Sequence, residues 1–290
     1  MTRRRPAVSL IEVLVAVAVV AVLVGLVLAA VQKVRHAAAR ADCGNRLRQL
    51  ATATHGHHTR AGRLPPGLRY HPDPLAFASW VTRCLPDLGE PSSAAETTED
   101  FARSWAFDAF PPHRNLGRVL PAALCPLQTR TTAVTDSGAT AAFTSYLGVS
   151  GTGKRPTSGV LFPDSGVRLA DVTDGTSNTL LIGERPPGPN PNLGWWYAGV
   201  GQSGDGSADF LLGAAEFSRS PRTTDCPFGP YRYGPTTVDD PCSVLHFWSL
   251  HSGGANFAFC DGSVRFLRYS AAAILPALAT RAGGEVVALD

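Results

Sequence analysis

The sequence predicts an α+β protein: one long N-terminal helix, its first half apolar, packed on a head with an antiparallel β-sheet and long loops. Three observations predict it. A run of 24 residues from Val8 to Val31 carries a single charge, Glu12. A proline-free, amphipathic stretch continues it from Gln32 to about residue 60. Past Gly62, in a chain with 29 Gly and 23 Pro, short apolar stretches alternate with turn residues, the pattern of strands and loops.

Composition narrows the function classes. Charged residues are 17% of the 290 and the net charge is +3. That is too little charge for a dedicated nucleic-acid binder, and no basic stripe lies among aromatics. No repeat of fixed period is present.

The first helix is long enough to cross a membrane. At 1.5 Å per residue, Val8–Val31 spans roughly 36 Å. Arg3, Arg4 and Arg5 precede it, so the positive-inside rule keeps the N-terminus cytoplasmic and exports the rest. A cleaved secretory signal has a shorter apolar core, about 7–15 residues. A plain anchor fits the length but leaves Glu12 without a purpose, although a carboxylate in a membrane helix costs at least ~2.5 kcal/mol. Beyond the run, Val34, Ala38, Ala41, Asn45 and Leu50 or Ala51 recur at helical spacing. Arg35, Arg40, Arg46 and Arg48 occupy other angles. This stripe is expected to pack on the head.

Ala7-Val8-Ser9-Leu10-Ile11-Glu12 resembles the processing site of type IV prepilins. In that family a short basic leader ends in a small residue, usually Gly, and Glu stands fifth after the cut. The resemblance implies cleavage after Ala7 by a prepilin peptidase, N-methylation of Val8, and a role for Glu12 in assembly with other pilin-like subunits. Ala7 departs from the usual Gly and Val8 from the usual Phe or Met. The organisation expected is a leader at 1–7, a transmembrane helix at 8–31, its amphipathic continuation at 32–60, and an exported head at 61–290. The partners are then the peptidase and methyltransferase, pilin-like subunits and membrane lipid, with no nucleic acid. The location is the inner membrane, single-pass, with the head periplasmic or, if assembled, at the cell surface.

Within the head, Phe77–Leu85 reads as a strand or short helix, and 90–108 as an acidic, partly helical insertion. Phe143–Val149 and Thr179–Gly183 read as strands. Residues 256–267 form a hairpin around Asp261-Gly262, a dipeptide suited to a two-residue type I′ turn. That register pairs Phe259 with Val264 and Phe257 with Phe266, and places all four on one buried face.

His251, nine residues, then Asp261-Gly262 resembles the "processing-associated" motif of a large bacterial family of unknown function that joins such a head to a prepilin N-terminus. Ala41-Asp-Cys-Gly-Asn45, Leu64-Pro-Pro-Gly67, Cys125-Pro126, Thr173–Thr179 and Ser252–Asn256 are similar to it too. The family name is not a reason to assign the head a processing activity.

Several residue sets admit a chemical role and a structural one. His251 with Asp261 suits a catalytic or metal pair. The structural reading is that His251 braces the hairpin and Asp261 is turn chemistry, with no third ligand at metal spacing. His55, His57 and His58 end an exposed helix. Asp205 and Asp209 alternate oxygen donors as a calcium loop does, the one cofactor the chain admits. Trp195, Trp196 and Tyr197 suit a glycan or peptide, or a core. Nucleophile-elbow and phosphate-loop motifs are absent.

The six cysteines form no C-x-x-C pair. Alone they leave disulfides and buried thiols open, and an exported head favours disulfides. Cys226 and Cys242 flank a Pro-rich segment with little core, where a bridge would hold what packing cannot. Cys43 and Cys125 are a second pair. Cys84 and Cys260 sit in apolar runs as buried thiols. Together these expectations describe a pilin-like or pseudopilin-like structural subunit without catalysis. The alternative is a monomeric, membrane-tethered module that binds a ligand with its loops.

Overall fold

The computed structural model describes residues 10–153, 157–220, 223 and 225–285; Ala7 and Val8, the processing site, lie outside them. Helix α1 spans Leu10–Ala61. The chain divides into two units, Met1–Ala41 and Asp42–Asp290.

In the first unit the described residues are all helix, and their large apolar side chains face outward: Leu10, Leu14, Leu26 and Leu28 are all exposed. Such a surface has no favourable aqueous environment. Among the described residues α1 is the one helix long and apolar enough to cross a membrane.

The second unit begins with the last turns of α1 and carries the short helices α2 (Trp80–Arg83), α3 (Pro91–Arg103) and α4 (Leu275–Leu278). Its strands are β1 (Thr132–Val134), β2 (Thr140–Ala142), β3 (Tyr146–Gly151), β4 (Leu180–Glu184), β5 (Leu211–Gly213), β6 (Ala215–Glu216), β7 (Tyr231–Arg232), β8 (Gly254–Phe259) and β9 (Val264–Arg268). Five of them form the main sheet in the order β5-β3-β4-β8-β9, and β1-β2 and β6-β7 are two-stranded ribbons. The main sheet is mixed, because β3 and β5 pair parallel while the other pairs are antiparallel. A parallel pair needs a long crossover, and here it runs through β4 and the 185–210 loops, which local patterns cannot foresee.

Strand alternation splits the core between the two faces of the sheet. On one face Leu47, Leu50 and Ala51 of α1 pack with Tyr146, Ile182, Ala258, Cys260 and the aromatics Trp80, Trp196 and Tyr197. On the other, Leu147, Val149, Phe257 and Phe259 meet Leu275 and Leu278 of α4. The buried positions of α1 are Cys43, Leu47, Leu50, Ala51, Ala53 and Thr54. Of the expected stripe, Leu50 and Ala51 are buried in the second unit and Asn45 is exposed, while Val34, Ala38 and Ala41 belong to the first unit. Alanine spacing defines no face strongly, whereas leucine burial does.

The 256–267 hairpin forms, one residue out of the expected register. Phe257 pairs with Arg265, Ala258 with Val264, and Asn256 with Phe266. The amide of Phe259 donates to Ser263 O at 2.9 Å, so Cys260-Asp261-Gly262 is a three-residue loop. Gly262 has φ +82° while Asp261 does not share the left-handed region, so the turn is not type I′. The loop is pinned elsewhere: Cys260 N donates to Thr179 O and Asp261 N to Thr176 O. As a result Phe257 and Phe259 share a face with Arg265, whose guanidinium stacks 4.5 Å over Phe259, and Val264 lies opposite.

A test follows from where packing starts. Leu47→Ala removes a fully buried side chain and is expected to cost about 2–5 kcal/mol of head stability. Val34→Ala is expected to leave it within about 0.5 kcal/mol. Urea unfolding of the detergent-solubilised chain, read by tryptophan fluorescence, measures both. Equal losses would contradict the assignment.

Candidate functional site

Beneath the sheet face that carries α1, four segments bring polar side chains together. Cys43 comes from α1, Cys125 from the turn after Pro121–Ala123, Glu184 from the end of β4, and His251 from the segment entering β8. All four are buried. The ligand atoms of Cys43, Cys125 and His251 lie within 4.8 Å of one another. His251 Nε2 is 3.8 Å from Cys125 Sγ and 3.6 Å from Glu184 Oε1.

Each member is positioned by its own backbone or neighbours. Arg46, one turn after Cys43, donates from Nη1 to Pro121 O at 2.9 Å and Leu124 O at 2.7 Å, which fastens the Cys125 turn to the helix. Tyr146 Oη donates to Cys43 O. Ser249 Oγ accepts from His251 N at 3.0 Å and donates to Gly254 O at 2.7 Å, holding the approach to β8. Glu184 accepts from Asn256 N at 2.7 Å and from Asn256 Nδ2 at 3.1 Å.

The electrostatics follow from this crowding. The Cys43–Cys125 contact, with burial and the Glu184 charge, pushes the Cys43 thiol well up. The same contact and the His251 ring draw the Cys125 thiol down against burial. Burial disfavours the charged imidazole, but Cys125 and Glu184 outweigh it and raise His251 to about 9. The cluster has the composition of a soft-metal or thiol-redox site: two sulfurs and one imidazole, edged by a carboxylate.

The other expected residues are distributed differently. Asp261 is exposed at the hairpin tip, where Oδ1 accepts from Ser263 N at 2.8 Å, while His251 faces the buried cluster. The two ends of the spaced motif thus do separate jobs, and the His251 ring is linked to the hairpin through Glu184 and Asn256. His57 bonds to Arg63 O and His58 Nε2 accepts from Leu169 N, so the three-histidine run is not one site. Asp205 pairs with Arg219 at 2.8 Å. Asp209 accepts from Gly194 N and Gly201 N, and its charge supports the fully buried Arg185. The two carboxylates are thus engaged on different partners. Trp196 and Tyr197 are core residues.

Cys226 and Cys242 form a disulfide, beside a small cluster of Leu193, Val244 and Leu245. Cys84 and Cys260 are buried thiols, and Cys43 and Cys125 are adjacent but unbridged.

Residues 32–273 match the family described as Protein of unknown function (DUF1559). The chain belongs to this family. The match begins one residue after the apolar run ends and takes in every strand of the DUF1559 head. No curated protein and no solved structure matches the chain. What this DUF1559 chain adds ahead of the matched region is an apolar helix long enough to serve as a single-pass membrane anchor.

Sequence reasoning paired Cys43 with Cys125 but left His251 without a third partner. The three are far apart in the chain, Cys125 and His251 by 126 residues, and no local spacing joins them.

Replacing Cys226 and Cys242 together by Ser is expected to cost roughly 3 kcal/mol in the chain-entropy model for a bridge of sequence separation 16. Hydrogen exchange should accelerate across 226–242 and leave β3 and β4 protected. Unchanged exchange in that loop would refute the stapling role.

Proposed function

We propose that the chain is a membrane-inserted, type IV pilin-like structural subunit, processed by a prepilin peptidase, N-methylated at Val8, and without catalysis of its own. The observation that carries this reading is the two-part character of α1. Its first described turns expose leucine and valine all round, and its turns between Cys43 and Thr54 bury one face in the head. One helix serving two solvents is what a pilin subunit requires, with lipid or neighbouring helices around the first part and its own sheet around the second.

Three further features support it. Arg3, Arg4 and Arg5 set the N-terminus in the cytoplasm and the head outside. The disulfide at Cys226–Cys242 suits an oxidising compartment. Glu12 stands at the fifth position after the Ala7–Val8 bond, where its carboxylate can neutralise the new amine of a neighbouring subunit. In this reading assembly rests on α1, and the DUF1559 head decorates the filament or complex.

Mass spectrometry of the chain from its native membrane should find a mature N-terminus at methylated Val8. A retained Met1 leader on most of the protein would refute processing. Glu12→Ala should insert normally, or more easily, yet give fewer crosslinked species in intact membranes. Unchanged crosslinking would instead favour the monomeric, tethered module.

A further inference from the structure

We propose that Cys43, Cys125 and His251 are the protein ligands of a thiophilic divalent metal ion, zinc being the fitting one, with Glu184 Oε1 at the fourth position. The inference is independent of the assembly reading above.

The geometry is the first argument. In a tetrahedral site with Zn–S of about 2.3 Å and Zn–N of about 2.0–2.1 Å, ligand atoms stand about 3.5–3.8 Å apart. His251 Nε2 to Cys125 Sγ is 3.8 Å, and all three ligand atoms lie within 4.8 Å of one another. The residual excess is within reach of small rotations about the cysteine Cα–Cβ bonds.

The second argument concerns what one proton cannot do. Cys125 Sγ and Glu184 Oε1 both approach the same ring nitrogen of His251. A single N–H satisfies one acceptor. A cation at the point where they converge satisfies both, and Cys43 Sγ as well.

Charge is the third argument. Zn2+ with two thiolates, a neutral imidazole and the Glu184 carboxylate carries −1, the same charge the four groups hold without the metal, so binding adds no buried charge. Glu184 keeps its two bonds from Asn256 and retains lone pairs for the metal. Binding releases two protons to solvent, one from the Cys43 thiol and one held between Cys125 and His251, and involves no change of oxidation state.

The ligands also come from α1, the Cys-Pro turn and the approach to β8. A metal here would tie the buried end of the long helix to the C-terminal hairpin.

The test uses the full chain in detergent, purified without chelator or added reductant, with cobalt(II) as the probe. One cobalt per chain and a thiolate-to-cobalt charge-transfer band are expected. The band should vanish in Cys125→Ser and persist in Cys84→Ser, whose thiol lies outside the cluster. Glu184→Gln should weaken affinity roughly 10–100-fold, as loss of a supporting carboxylate does. Should Cys125→Ser fail to fold, the wild-type chain alone decides the matter. Cobalt bound without the thiolate band would overturn the proposal. So would peptide mapping of the unreduced chain that finds Cys43 bridged to Cys125.

Discussion

Glu184 is the buried charge around which the head closes. It is the last residue of β4 and sits opposite Tyr146 of β3. Its carboxylate holds Asn256 of β8 through both the backbone amide and the side chain. Its main-chain oxygen accepts from Trp248, and the same carboxylate faces His251. A buried carboxylate without partners is unaffordable, so these bonds are conditions of its presence rather than additions to it. They register the C-terminal hairpin against the centre of the sheet. Gly183 beside it has the complementary constraint. A Cβ there would meet the rings of Phe257 and Phe247 at 2.6–2.7 Å, so the aromatic layer closes only over a bare backbone.

The long helix carries two kinds of surface on one secondary structure. Hydrogen bonding within the helix satisfies its backbone in any medium, so only the side chains distinguish lipid from protein interior. Up to Ala41 those side chains point outward, and from Cys43 they meet the sheet. The disulfide segment solves a different problem. Its apolar cluster is small, and a covalent bridge holds the segment in its place.

Much of this was legible in the chain because it depends on local pattern. The apolar run, the positions of β3 and β4, the hairpin and the Cys226–Cys242 bridge all rest on composition within a few residues. What was not legible depends on distant partners. The hairpin register slipped because Asp261-Gly262 reads as a two-residue turn, while the amides of Cys260 and Asp261 are in fact claimed by Thr179 and Thr176. The parallel β3–β5 pair depends on a long excursion. Leu50 and Ala51 of the expected stripe are buried but Asn45 is not, because alanine-rich spacing does not define which face is covered. The buried cluster was half legible: two cysteines were paired, but the imidazole that joins them comes from a motif whose other end, Asp261, serves the turn.

The partners of the buried end of α1 have a consequence for biosynthesis. Arg46 waits for carbonyls 75 residues downstream, and Tyr146 reaches back 103 residues to Cys43. The strands that complete the sheet, β8 and β9, are among the last elements made. A nascent chain therefore exposes its apolar N-terminal helix long before the head has a core. Exposure of the apolar helix and folding of the head are separated in time by the order of synthesis itself. A chain that stops short of β8 would carry the apolar helix without the completed sheet, and its uncovered sheet edge would be open to aggregation.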